Sequence, residues 1–273
     1  MTFSVATWNI NSVRLRFPQV KRFLARFSPD VLCLQETKCP DEKFPLGDFA
    51  KLGYEHVAIH GQKGYHGVAV IARHPFEDQS RNFFCGKTDA RHISVTFERK
   101  AKLDKPLTIH NFYVPAGGDI PDPMLNVKFE HKLQFLDELA TCSVTKDAKG
   151  GTRSILVGDL NVAPRENDVW SHKQMLKVVS HTPIEVEKFE HARTSGAWID
   201  VMRGFVPDDR KLYTWWSYRA ADNWKAADRG RRLDHVWASP ALDGAASAMT
   251  VFKSSRGWQQ PSDHVPVIAE FSL

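Results

Sequence analysis

The sequence predicts a layered α/β fold, and three observations predict it. Short apolar stretches of strand composition alternate with amphipathic or polar stretches, the pattern of sheets covered by helices. The 273 residues, 42% hydrophobic and 25% charged, have the make-up of an ordinary globular chain long enough for a large core. No apolar run reaches the roughly 18–20 residues that cross a bilayer, which excludes a helical membrane span. Disordered, collagenous and coiled-coil chains are excluded by the same composition.

The elements follow in order. Phe3–Trp8 has strand composition and ends in the polar cluster Asn9-Ile10-Asn11-Ser12. Val20, Phe23, Leu24 and Phe27 fall at i, i+3, i+4, i+7, so a helix is expected over Val13–Phe27, with Ser12 as its cap and Ser28-Pro29-Asp30 as its stop. Val31–Gln35 reads as a buried strand with Glu36 at its end. Further strands are expected at His66–Ala72, His92–Phe97 and Leu107–Val114, the last ending at Pro115. After a break at Pro121–Pro123, a helix carries Phe129, Leu133, Leu136 and Ala140 on one side. Ser154–Val157 is a strand closing on Gly158-Asp159-Leu160-Asn161, and Leu233–Ala238 and Val265–Ser272 complete the set. No linker rich in Pro, Gly or Ser divides the chain. One domain over residues 1–273 is therefore expected, with two sheet-forming halves at about 1–148 and 149–273, each opening on a strand that runs into an Asn-containing loop.

The N-terminal stretch has neither the charged start nor the cleavage site of a signal peptide, and the expected location is cytoplasmic. Cys33, Cys39, Cys85 and Cys142 form no Cys-x-x-Cys pair, so they read as reduced thiols rather than a zinc site. Lys and Arg total 37 against 32 for Asp and Glu, a net charge of +5 that points weakly to a polyanionic partner.

The residues with chemistry cluster at strand ends and the loops that follow them, where α/β scaffolds carry their sites. Glu36 reads either as a solvated carboxylate or as a ligand for a hard divalent cation held on a rigid strand end. Asp159 and Asn161, two apart, either share one ligand or make an Asx turn, and Gly158 before them permits a close approach. His264, in Ser262-Asp263-His264, is a core histidine or a phosphate partner whose charge a carboxylate would favour. Asp234 offers that carboxylate, or else an ion pair with an adjacent arginine. Asn9 and Asn11 alternate and can face one pocket; Tyr113 is a core aromatic or a pocket group. Trp215, Arg219, Lys225, Arg229, Arg231 and Arg232 mix rings and cations in the way that suits nucleic acid, by stacking on bases and holding phosphates. A core tryptophan beside a solvated basic face is the other reading.

The order of these segments is more specific than any one of them. Trp8-Asn9-Ile10-Asn11, Leu34-Gln35-Glu36-Thr37-Lys38, Asn111-Phe112-Tyr113-Val114-Pro115, Gly158-Asp159-Leu160-Asn161, Arg232-Leu233-Asp234 and Ser262-Asp263-His264 closely resemble, along the whole chain, the exonuclease III family. These are the class II abasic-site endonucleases of the endonuclease/exonuclease/phosphatase superfamily. The resemblance implies a four-layered α/β sandwich of two packed mixed β-sheets flanked by helices. It implies a Mg²⁺-dependent enzyme, Mn²⁺ substituting, that cleaves the phosphodiester 5′ to abasic sites and also acts as a 3′-to-5′ exonuclease and 3′-phosphatase or phosphodiesterase. The implied substrate is double-stranded DNA with abasic sites or blocked 3′ ends, bound by a monomer without a membrane.

Carried over by position, Glu36 is the main metal ligand, with Asn11, Asp263, Asp159 and Asn161 contributing. Asp159 handles the attacking water, Asn9 and Asn161 organise the site, and Tyr113 and His264, the latter paired with Asp234, contact the scissile phosphate. Trp215 and Leu233 wall the abasic pocket. Three positions depart from the family pattern: Ala116 replaces an asparagine after the Tyr-x-Pro segment, Arg231 replaces a bulky aromatic, and Asn11 stands where some members have aspartate. Small-molecule or lipid phosphatases of the superfamily share the acids and the histidine. The basic aromatic segment Trp215–Arg232 favours DNA, since a small substrate needs no such extended surface.

Overall fold

The computed structural model describes residues 2–101, 103–219 and 224–273. Twelve strands are described: β1 Thr2–Asn9, β2 Val31–Gln35, β3 His56–His60, β4 Val68–Ala72, β5 Asp78–Ser80, β6 His92–Phe97, β7 Leu107–Tyr113, β8 Ser154–Asp159, β9 Ile199–Asp200, β10 Asp234–Ala238, β11 Ala246–Val251 and β12 Val267–Ser272. They make two six-stranded mixed sheets, ordered β11-β12-β1-β2-β4-β3 and β5-β6-β7-β8-β10-β9. The parallel pairs β1/β2 and β7/β8 lie inside the two sheets.

Alternation along each strand divides its apolar residues between two interiors. Val5, Val31, Cys33 and Val70 of the first sheet meet Ile109, Ile155, Val157 and Val236 of the second in one core between the sheets. Ala6, Leu32 and Leu34 turn outward onto Val20, Phe23 and Leu24 of helix α1 (Phe17–Phe27). On the far side, Phe112, Leu156 and Trp237 pack on helices α2 (Val127–Thr141) and α3 (Pro183–Ser195) through Phe135, Leu136 and Phe189. The result is the expected helix–sheet–sheet–helix sandwich. Strands covered on both faces explain why their sequences read as continuous apolar runs.

Several expectations need correction. The first helix begins at Phe17 rather than Val13: Asn11 and Ser12 take left-handed backbone conformations (φ 48° and 85°), and Pro18 supplies the preset φ of a first turn. Ser12 caps nothing. The stretches 1–148 and 149–273 do not each form a sheet, because the first contributes β1–β4 to one sheet and β5–β7 to the other. Helix α3 was legible and was missed: Thr182 and Glu185 form a capping box with Pro183 at the first turn.

The register places the site. Tyr113 lies opposite Asp159 across β7/β8, Asp234 lies opposite Asp159 across β10/β8, and Asn9 lies opposite Gln35 across β1/β2. Gly158 lets β8 sit this close to β7. A Cβ there would come 1.9 Å from the carbonyl oxygen of Phe112, and its φ of +144° is disfavoured for other residues. Beneath the site, the two sheets are joined by polar side chains. Gln35 donates to Thr7 Oγ1 (3.0 Å) and Asn111 Oδ1 (2.7 Å), and Asn111 Nδ2 donates to the carbonyls of Leu34 and Ala69 (both 2.9 Å).

Candidate active site

Six strand ends and loops deliver the predicted residues to one place. Asn9, at the end of β1, is buried, and its Nδ2 donates to both Glu36 Oε1 and Asp159 Oδ2 at 2.9 Å. Tyr113 Oη donates to the same Glu36 oxygen at 2.9 Å. Asp159 Oδ1 accepts the backbone N–H of Asn161 at 3.1 Å, the Asx turn that was one of the two readings. Asn161, with φ 55°, sends its side-chain amide to the carbonyl of Val114 (2.9 Å) instead of lying in an extended segment beside Asp159.

His264 completes the group. Its Nδ1 lies 2.8 Å from Asp234 Oδ2 and its Nε2 lies 3.6 Å from Asp159 Oδ2. The Asp234 contact fixes the ring as an Nδ1–H donor and leaves Nε2 facing the pocket. Ser262 Oγ accepts the backbone N–H of His264 (3.2 Å) and donates to the carbonyl of Asn9 (2.7 Å), tying the histidine loop to β1.

Burial opposes every charge in this group, so the neighbours decide which charges remain. Desolvation works to lower the pKa of His264, but Asp234 and Asp159 outweigh it and raise it, which keeps the imidazolium. Desolvation also raises Asp159, and Asp234 and Glu36 add to that, against His264 and the Asn9 amide. Glu36 is half-buried, which works to raise it, yet its pKa ends lowered because Lys38 and Asn9 hold the carboxylate. Burial raises the Tyr113 hydroxyl well above its usual value, so it is a donor at neutral pH.

Lys38 was quoted in a motif but given no role, and it tests the fit of a cation. Its Nζ lies 2.8 Å from Glu36 Oε2 and 2.6 Å from Asn11 Oδ1. The two oxygens assigned to a metal therefore converge on one positive point, as a hard divalent ion requires. Asp263 stands beside them, accepting from Asn11 Nδ2 (3.3 Å) and Trp215 Nε1 (2.9 Å). Asp159, Asp234 and His264 also bring ligand atoms within 4.8 Å of one another. That trio is less suited to such an ion, because His264 Nδ1 is committed to Asp234 and oxygen donors are preferred.

A pocket of about 710 Å³ opens above these groups. Trp215, Leu233, Arg219, Arg229 and Arg231 line it, as does Trp170, which carried no signal in the sequence. Leu233 and the ring of Trp215 belong to a small apolar cluster with Ala163, Val169 and Met175. Arg231 lies over Trp215 at 4.9 Å and Arg229 over Trp170 at 4.7 Å. Lys225 is exposed on the short helix Trp224–Ala227 and does not line the pocket.

Arg232 corrects the expectation of a DNA contact. It is fully buried and bonded to Asp168 and Asp200, with Nη1 2.7 Å from Asp200 Oδ2 and Nη2 2.9 Å from Asp168 Oδ2. Adjacent residues of an extended segment point to opposite sides, so Arg231 reaches the pocket and Arg232 the interior.

With this geometry in hand, comparison with known proteins is specific. The chain is 29% identical to the exodeoxyribonuclease III of Haemophilus influenzae, over 97% of this chain and 98% of that one. Among solved structures it resembles an AP endonuclease from Archaeoglobus fulgidus (TM-score 0.89, 30% identity, covering 99% of this chain and 100% of that one). It also resembles a 3′ phosphatase from Neisseria bound to a product DNA hairpin (TM-score 0.87, 30% identity, covering 99% and 100%). Residues 6–264 match the Endonuclease/Exonuclease/phosphatase family, and on that match, with a sandwich that superposes end to end on these structures, the chain belongs to that family.

Proposed function

We propose that the protein is a DNA-repair nuclease that uses Mg²⁺ to hydrolyse the phosphodiester 5′ to abasic sites in duplex DNA. We assign it 3′-to-5′ exonuclease and 3′-phosphatase activity as well. The observation that carries this reading is the single group Asn9–Glu36–Tyr113–Asp159–His264–Asp234, joined by hydrogen bonds and by the ion contact of His264 with Asp159, beneath a pocket walled by tryptophan and arginine. The similarity to an exodeoxyribonuclease III and to an AP endonuclease supports it.

Phosphodiester hydrolysis needs charge neutralised on the phosphoryl oxygens and a water held in line. Glu36, Asn11 and Asp263 would hold the ion, with Asp159 and Asn161 as further candidates. When bound, it supplies Lewis-acid stabilisation of phosphate charge. The chain's own residues do the rest. His264, kept cationic by Asp234, presents Nε2–H to a phosphate oxygen, and Tyr113 presents its hydroxyl. Asp159, whose pKa burial raises, takes the proton of the attacking water, and Asn9 fixes its position relative to Glu36. Trp215 and Leu233 wall the space for the abasic sugar. Arg219, Lys225, Arg229 and Arg231 supply positive charge to the DNA backbone.

The test is incision of a duplex carrying one tetrahydrofuran abasic analogue. Cleavage on its 5′ side in Mg²⁺, lost in chelator, is expected. Equal cutting of undamaged duplex would replace this reading with a nonspecific nuclease.

A further inference from the structure

Arg231 is a half-buried arginine that lines the pocket and has no acid of its own. Among the described residues no carboxylate lies within ion-pair distance of it, whereas Arg232 next to it has two. Its Nη1 donates to two neutral acceptors, the carbonyl of Val179 (3.1 Å) and Ser180 Oγ (3.0 Å). Nε has no partner, and the guanidinium's two hydrogen bonds among the described residues both come from Nη1. The carboxylate that acts on it most is Glu185, and that group is committed elsewhere. Glu185 is fully buried against Lys132, and it accepts the backbone N–H of Ser180 (2.9 Å) and the hydroxyl of Thr182 (2.6 Å). Two cations thus share one anion under the pocket. Burial lowers the pKa of Arg231, the sign of a charge short of compensation.

The backbone gives the location of that spare charge. Trp215 bridges to Arg231 on one side and to His264 on the other. At about 4.8 Å per strand spacing, the two flanking backbones lie about 10 Å apart, enough to set one sugar between two phosphates. With its guanidinium against the Trp215 ring, Arg231 is a pre-positioned fork of the kind that recognises phosphate.

We propose that Arg231 is a specificity-determining residue that reads a second phosphate, the one on the 3′ side of the sugar whose 5′ bond is cut. Internal sites carry this phosphate and a 3′-terminal nucleotide ending in a hydroxyl lacks it. Arg231 therefore tilts the enzyme toward internal incision over terminal nucleotide removal. The inference rests on the nuclease reading and assigns the pocket wall a function that reading leaves open.

Two duplexes test it, each with one internal tetrahydrofuran. In one the linkage 3′ to the analogue is a normal phosphodiester, and in the other it is an uncharged methylphosphonate. The wild-type enzyme is expected to cut the methylphosphonate duplex about tenfold less efficiently in kcat/KM. Arg231→Gln should lose about tenfold on the normal duplex and nothing further on the methylphosphonate. Equal losses on both duplexes, or a wild-type enzyme indifferent to the substitution, would overturn the proposal. If the wild-type protein cuts neither duplex in Mg²⁺, the nuclease reading itself falls and takes the proposal with it. Binding gives a readout independent of turnover: the slope of log K against log salt should shrink by about 0.9 in Arg231→Gln, one phosphate contact, and an unchanged slope counts against the proposal.

Discussion

Asp159 and His264 stand 3.6 Å apart with almost no solvent between them, and one amide, from Asn9, holds the carboxylate from the other side. Replacing Asp159 by Asn keeps the shape and removes the proton acceptor. Turnover should fall at least a thousandfold while abasic duplex binding, read by anisotropy, stays within a fewfold; near-normal turnover would remove Asp159 from the water-handling role. Lys38 supports a different prediction. Its ammonium sits between Glu36 Oε2 and Asn11 Oδ1, where it would compete with a divalent ion held by those oxygens. In Lys38→Met the half-saturating Mg²⁺ should drop severalfold, whereas Glu36→Gln should raise it. A metal titration unmoved in both variants would place the ion elsewhere. These positions were unequally legible. Glu36, Asp159 and His264 are few, occur at strand ends and have well-defined chemistry. Lys38 was not assigned because a lysine three residues after a strand is ordinary, and only the left-handed backbone at Glu36 and Lys38 (φ 50° and 49°) turns it back onto Glu36.

At the scale of elements, β10 shows what a sequence pattern conceals. The segment Arg231-Arg232-Leu233-Asp234 reads as a basic cluster leading into a strand, and charge alone does not say which arginine faces water. The fold answers through Asp168 and Asp200, which arrive from segments 64 and 32 residues away. Such long-range partners leave no local mark. In Arg232→Met Asp200 would be left without its cation and Asp168 with Arg203 alone, a loss of about 3 kcal/mol. The melting midpoint should fall by about 10 °C for a chain of this size. A shift under about 2 °C would show that the pair contributes little. The strands themselves were read well, because burial on both faces gives long apolar runs. Boundaries were read less well where Asn and Ser take positive φ, and the edge strands β3, β5, β9 and β11 were not read at all.

Across the whole molecule, three buried histidines contribute to the acid limit, and His60, His66, His131 and His181 are lowered by burial as well. Burial pushes His110 down to about 4 and His235 down to about 3, and it lowers His92 well below the ordinary value. His92 Nδ1 accepts the backbone N–H of Asn82 (3.0 Å), so its Nε2–H faces His110 Nδ1 at 3.3 Å, and the pair stays neutral. Above pH 6.5 these rings are neutral folded or unfolded and cost nothing. Below it only the unfolded chain takes up their protons, so stability falls as pH drops from 6.5 toward 4. Asp159, raised by burial, binds a proton in the native state over part of this range and offsets one of the three. Each net proton corresponds to about 1.4 kcal/mol per pH unit. Urea unfolding at pH 6.5 and 4.5, a range below the ordinary histidine value in which the raised pKa of His264 adds little, should show the loss, and equal stabilities would contradict it.

The amide of Asn9 has a consequence beyond the site. It is carried by one sheet and grips Glu36 of that sheet together with Asp159 of the other, so the spacing of the two carboxylates is set by how the sheets are seated on each other. A slight slide of one sheet over its neighbour, too small to unfold anything, would pull the donor from one acid or the other. Enlarging a side chain deep in the shared interior, far from any DNA, should therefore slow the enzyme before it melts it.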